Sequence, residues 1–222
     1  MDFLKLVQSL DDLLYETMSW LIFYPVTLWR VLVRPMRMMG YADSELSDAE
    51  SKQYIDTLSP PLFLLLTLIL IHAVEIAVVG QSELVGSKQG LNTFIDDDTN
   101  LIILRAVTFS LFPLVMASRL VRKQGIGLDR NTLRPPFYSQ CYATAVFALA
   151  ISSGEILIRL AQPWTVEAGA VLSLAALGWF GTLQVVWFAR HLKISLWRGF
   201  LNASFGMVES LAGTAGLGLL FA

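Results

Sequence analysis

The stretch Pro61–Val79 reads PLFLLLTLILIHAVEIAVV and holds one formal charge, Glu75. A helix rises about 1.5 Å per residue, so this run reaches close to the ~30 Å thickness of a bilayer's hydrocarbon core. Ser59 stands where an N-cap belongs, and Pro60 and Pro61 suit a first helical turn. Working outward, further apolar runs follow at 101–120, 138–161, 166–188 and 200–221. Asp98, Thr99 and Asn100 are available to cap the second, and Pro135-Pro136 precede the third. Of the 222 residues, 55% are hydrophobic and 15% charged, with a mean hydropathy of +0.59. Soluble domains carry about 25% charged residues. A soluble domain, a disordered chain and a disulfide scaffold are therefore excluded. The predicted fold is all-α, a polytopic membrane helical bundle of five transmembrane helices plus an N-terminal interfacial helical segment. Residues 1–60 form a cytosolic N-terminal segment, and residues 61–222 form the transmembrane domain.

The N-terminus has an early acid and no basic region, so it does not read as a cleavable signal. Thr17–Trp29 is uncharged but is interrupted by Pro25 and is too short to span. Trp20 and Trp29, with Tyr15 and Tyr24, supply rings suited to headgroup level. Arg30, Arg34 and Arg37 add charges that meet anionic lipid heads. Residues 10–38 are thus predicted to form an interfacial or re-entrant helix, kinked near Pro25. Residues 41–58, with five acids, read as a linker or short helix.

Thirteen of the sixteen basic residues fall before span one, between spans two and three, or between spans four and five. The positive-inside rule then places the N-terminus in the cytoplasm and the C-terminus outside. A six-crossing alternative would put Met1 outside, and Glu16 and Pro25 count against it. The outer loop, 80–100, carries Asp96-Asp97-Asp98 without the ligand spacing of an EF-hand, so it reads as a solvated loop leading into a helix cap.

Ionisable groups within spans cost at least ~2.5 kcal/mol each at the bilayer centre and normally face protein or water. They are His72, Glu75, Arg105, Glu155, Arg159 and Glu209. Counting residues along the spans places Glu75, Arg105, Glu155 and Arg159 in one outer-leaflet layer. Glu155 and Arg159 are spaced to pair along one helix, and Glu75 and Arg105 to pair across helices. The layer reads either as an ion-pair network fixing helix register or as a polar cavity for a lipid head or solute. Glu209 lies away from the layer with no basic residue expected at its depth, which makes it a candidate functional carboxylate.

No enzyme signature is present: His72-Ala73-Val74-Glu75 lacks the second histidine of a zinc helix, and no G-x-S-x-G motif surrounds Ser152-Ser153-Gly154. The topology puts His72 and His191 on opposite sides, and Cys141 is the only cysteine. No catalytic residue, metal or cofactor is expected. The net charge is −2 and the basic residues are dispersed, so no nucleic acid partner is expected. Gly206, Ser210, Ala212, Gly213 and Gly216 stud span five, and Gly169, Ser173 and Gly181 stud span four. Small residues let helix backbones approach closely in membranes, so these two spans are predicted to pack on each other or on a partner.

Asp56-Thr57-Leu58-Ser59-Pro60-Pro61-Leu62-Phe63 is similar to the Asp…Pro-Leu-aromatic start of the first span in the Yip1-like integral membrane proteins. It is one residue longer than the eukaryotic form and lacks its Tyr-Gly. Trp187–Leu201, with Arg190, His191, Ser195 and Arg198, is similar as well. Over residues 15–222 the layout resembles the bacterial branch of that family, with a cytosolic segment, five spans and almost no tail. The resemblance implies a non-enzymatic inner-membrane adaptor or accessory subunit whose partners are membrane lipids and a membrane protein or second copy. The rival expectation is a small permease or lipid-handling transporter using the outer charged layer and Glu209.

Overall fold

The computed structural model describes residues 2–49, 52–80 and 98–221. Among these residues there are seven helices and no strand: α1 Asp2–Val33, α2 Pro35–Glu45, α3 Pro60–Val79, α4 Asp98–Lys123, α5 Arg130–Arg159, α6 Pro163–Leu192 and α7 Leu196–Phe221. Helices α3, α4 from Ile102, α5 and α6 are long and apolar enough to cross a membrane. The fifth expected span forms as α7, which is not among those four when only the described residues are counted.

Helix α5 is the axis of the bundle, packing against α1, α2, α3, α4 and α6. Every residue from Ser139 to Ala148 is buried, the mark of a helix surrounded on all sides. Ser139, Cys141, Ala143, Ala145 and Ala148 keep that stretch thin enough to be surrounded. On one side Phe63 and Tyr142 meet with ring centroids 5.9 Å apart, and on the other Phe147 stacks on Phe180 at 4.6 Å. At the far end α5 crosses α6 backbone to backbone. A Cβ on Gly154 would overlap the Ser173 hydroxyl and stand 2.9 Å from the Gly169 carbonyl oxygen.

Several boundaries differ from expectation. Helix α5 begins at Arg130 and carries Pro135 and Pro136 inside it, whereas the double proline was expected to open the span. Asp129 explains the earlier start: its Oδ1 accepts from the Asn131 and Thr132 amides at 2.7 and 2.9 Å, satisfying two orphan donors of the first turn. Ser59 occupies the N-cap of α3, yet its side chain makes no capping bond. Helix α4 is described from Asp98, so Thr99 and Asn100 lie within it. The loop acids Asp96 and Asp97 lie outside the described residues.

The N-terminal segment forms one helix continuing through Pro25, and the chain turns at Arg34 into α2. The segment after α2 is docked rather than free. Asp56 accepts from Arg30 at 2.7 Å and from the Tyr41 hydroxyl at 2.9 Å. The Leu58 amide donates to Thr27 Oγ1 at 3.1 Å, while the Tyr142 hydroxyl donates to the Leu58 carbonyl at 2.7 Å. These bonds tie α1, the segment and α5 together just before α3 begins.

Candidate functional site

The C-terminal turns of α3 and α5 and the N-terminal turns of α4 meet at one end of the bundle. Glu75, 4% exposed, projects from α3 into this meeting point. Arg105 Nη2 donates to one of its carboxylate oxygens, and Arg159 Nη1 donates to the other at 2.5 Å. The expected cross-helix pair Glu75–Arg105 is present. Arg159, expected to pair with Glu155 along its own helix, sends that donor across to Glu75 and leaves the Glu155 residue exposed. Glu155 still lies within electrostatic reach of both arginines, so two acids and two bases share the layer. His72, 3% exposed, lies one turn before Glu75 on α3.

This geometry governs what the layer can do. Both Glu75 oxygens are engaged by guanidinium groups, which leaves neither oxygen free for a solute. Charge-assisted bonds to both oxygens fix the mutual register of three helices.

Glu209 is also paired, contrary to expectation: Arg119 Nη1 donates to its Oε1 at 2.8 Å. Arg119 lies inside the 101–120 run yet counts with the basic residues between spans two and three, and it reaches α7 from the last turns of α4. The guanidinium also lies 5.2 Å from the Phe205 ring centroid. The Glu209 side chain remains 52% exposed.

The small residues of α7 divide between two directions. Gly206 faces α4, where a Cβ would stand 2.7 Å from Met116 Sδ, and Gly213 faces Leu111. Ser210 is buried and donates to the Gly206 carbonyl at 2.8 Å. Ala212 and Gly216 are exposed, and no described atom lies within 4 Å of a Cβ placed on Gly216. Helix α7 also packs on α6, with a Gly199 Cβ falling 2.7 Å from the Val185 carbonyl oxygen. Gly169 of α6, by contrast, serves the α5 crossing.

The basic anchors gather at the other end of the bundle. Trp29, Arg30, Arg34 and Arg37 line a cavity of about 590 Å³ with Tyr41 and Asp56. Trp29 is 68% exposed there. The Arg30 guanidinium holds the Asp56 carboxyl below its usual range, and burial pushes the Tyr41 hydroxyl upward. Trp20 does not join this group; it packs half-buried on the core and lines a separate groove with Tyr54, Arg134 and Tyr138. Among the described residues no three His, Cys, Asp or Glu side chains gather as a metal site.

One polar feature is invisible to a search for charges. Gln140 of α5 and Gln184 of α6, both fully buried, hydrogen-bond each other reciprocally. No family model, curated protein or solved structure matches the chain. The residues and their geometry therefore carry the functional argument.

Proposed function

We propose that the chain is a non-enzymatic, multi-pass protein of the bacterial inner membrane, an adaptor or accessory subunit of the Yip1-like kind. In this reading α3 to α7 all span, the N-terminus is cytoplasmic and the C-terminus outside. Helices α1 and α2 lie at the interface, where Trp29, Arg34 and Arg37 meet anionic lipid. The observation that carries the reading is the closed clasp, with Glu75 held by Arg105 and Arg159 on both oxygens. A permease of the rival kind needs an intramembrane carboxylate free to meet its solute. Glu75 is engaged, and Glu209 has one oxygen held by Arg119.

A partner has a place to sit. Ala212 and Gly216 present a small-xxx-small pair outward, flanked by exposed Val208 and Leu211, the kind of surface that admits another helix closely. Native mass spectrometry in a mild detergent tests this. A stoichiometric protein partner or homo-oligomer, lost in Gly216→Leu and kept in Glu209→Gln, supports the adaptor. A monomer whose Glu209→Gln variant loses uptake of a solute into cells overturns it in favour of a permease.

A further inference from the structure

The end of α4 and the start of α7 enclose a second basic site, distinct from the Trp29 cavity. Arg119, Lys123 and Arg198 line a cavity of about 350 Å³ together with Asn202, Leu201 and Phe205. An adjoining recess of about 280 Å³ shares Arg119 and Lys123 and adds Arg122. The two recesses together are lined by four cations and one carboxylate, Glu209, which is already held by Arg119. Arg122, Lys123 and Arg198 are exposed and form no ion pair among the described residues.

We propose that this groove binds the phosphate headgroup of an anionic phospholipid. Guanidinium and ammonium donors converging on one cavity suit phosphate oxygens, and basic pockets between membrane helices recognise such headgroups. The surface leading away from the cations selects lipid over free phosphate. Leu201 and Phe205 are 40% and 57% exposed on α7, and Leu114 is 40% exposed on α4. Arg198 and Phe205 are seven residues apart on one helix, about 10 Å along its axis. The groove therefore passes from charge to apolar surface over the distance that separates a headgroup from its acyl chains. The inference rests on α4 and α7 lying in a membrane, and is independent of the adaptor role and of which side faces the cytoplasm.

The test uses the full chain in nanodiscs of phosphatidylcholine doped with phosphatidylglycerol, with retained lipid counted by native mass spectrometry. Wild type should retain phosphatidylglycerol in preference to phosphatidylcholine. Lys123→Gln with Arg198→Gln should weaken that retention about thirtyfold, since each cation near the membrane surface contributes roughly a fivefold factor. The charge-keeping pair Lys123→Arg and Arg198→Lys should restore it, which separates the site from a folding defect. Arg34→Gln with Arg37→Gln, in the other basic cavity, lowers retention by its own separate amount, and the Lys123/Arg198 loss should add to it on that background. Retention equal to wild type in the folded glutamine variant overturns the site. Displacement of the lipid by millimolar inorganic phosphate overturns the lipid assignment in favour of a free anion. Survival of the preference in a strictly monomeric preparation supports this site even where the adaptor reading fails.

Discussion

Gln140 of α5 and Gln184 of α6 exchange hydrogen bonds in both directions, Gln140 Nε2 donating at 2.8 Å and Gln184 Nε2 at 2.6 Å, with neither side chain reaching solvent. Breaking one partner strands the other amide in an apolar interior. Gln140→Leu should therefore destabilise by about 1–3 kcal/mol. The double variant Gln140→Leu/Gln184→Leu should recover most of that loss, because both polar groups then leave together. A double-mutant cycle on unfolding in detergent measures this; additive losses would show that the amides do not act as a pair.

The two intramembrane glutamates that are ion-paired should respond very differently to neutralisation. Glu75 is buried under two arginines, so Glu75→Gln leaves both without a full counter-charge and should cost about 3–5 kcal/mol. Glu209 is half-exposed with a single partner, and Glu209→Gln should cost no more than ~1 kcal/mol. Thermal unfolding and membrane yield of the two variants check the order. Equal losses would mean that the clasp is not the main fastening.

The α5–α6 crossing gives a sharper steric case. Gly154→Ala would drive a methyl group onto the Ser173 hydroxyl, which can rotate away, and onto the Gly169 carbonyl, which cannot yield without moving backbone. The variant should lose roughly 1–3 kcal/mol as the helices separate. Pairing it with Ser173→Ala should relieve only part of this, since the Gly169 backbone remains. Disulfide trapping between cysteines placed on α5 and α6 would report the separation; unchanged trapping would contradict it.

How much of this could be read from the chain depends on the kind of signal. Pro61–Val79 forecasts α3 to within a residue because an uninterrupted apolar run has few alternatives. Glu75 and Arg105 were legible as a pair because opposite charges at one depth have strong reason to meet. Local spacing on α5 points Arg159 to Glu155, which stays within its electrostatic reach, but the hydrogen bond goes to the more deeply buried Glu75 on α3. Arg119 lies within the 101–120 run, but counting it with the basic residues of the following loop hides that a long guanidinium side chain can reach Glu209. Gln140 and Gln184 gave no signal at all, as an uncharged amide in an apolar run marks no partner. Only the folded bundle brings them together.

The docking of residues 52–58 onto α1 should depend on acidity, and the sign follows from Asp56. Arg30 hydrogen-bonds the Asp56 carboxylate and lowers its pKa, so folding favours the charged form. The resulting stabilisation is present above the ordinary aspartate pKa of ~3.9 and is lost as pH falls through the depressed value. Because the Arg30 and Asp56 side chains are 42% and 60% exposed, solvent and salt screen the pair and its contribution stays below ~1 kcal/mol. Asp43 has the opposite sign. Burial raises its pKa against the opposing bond from Ser139 and the charge of His191, so its stabilisation is present at low pH and declines as pH rises through the raised value. Acidification should thus loosen the Arg30–Asp56 end while the Asp43–Ser139 contact holds. Hydrogen exchange across 52–58 between neutral and acid pH should show the loosening, and Asp56→Asn should reproduce it at neutral pH and remove the acid step. An acid step that survives in Asp56→Asn would place the titrating group elsewhere.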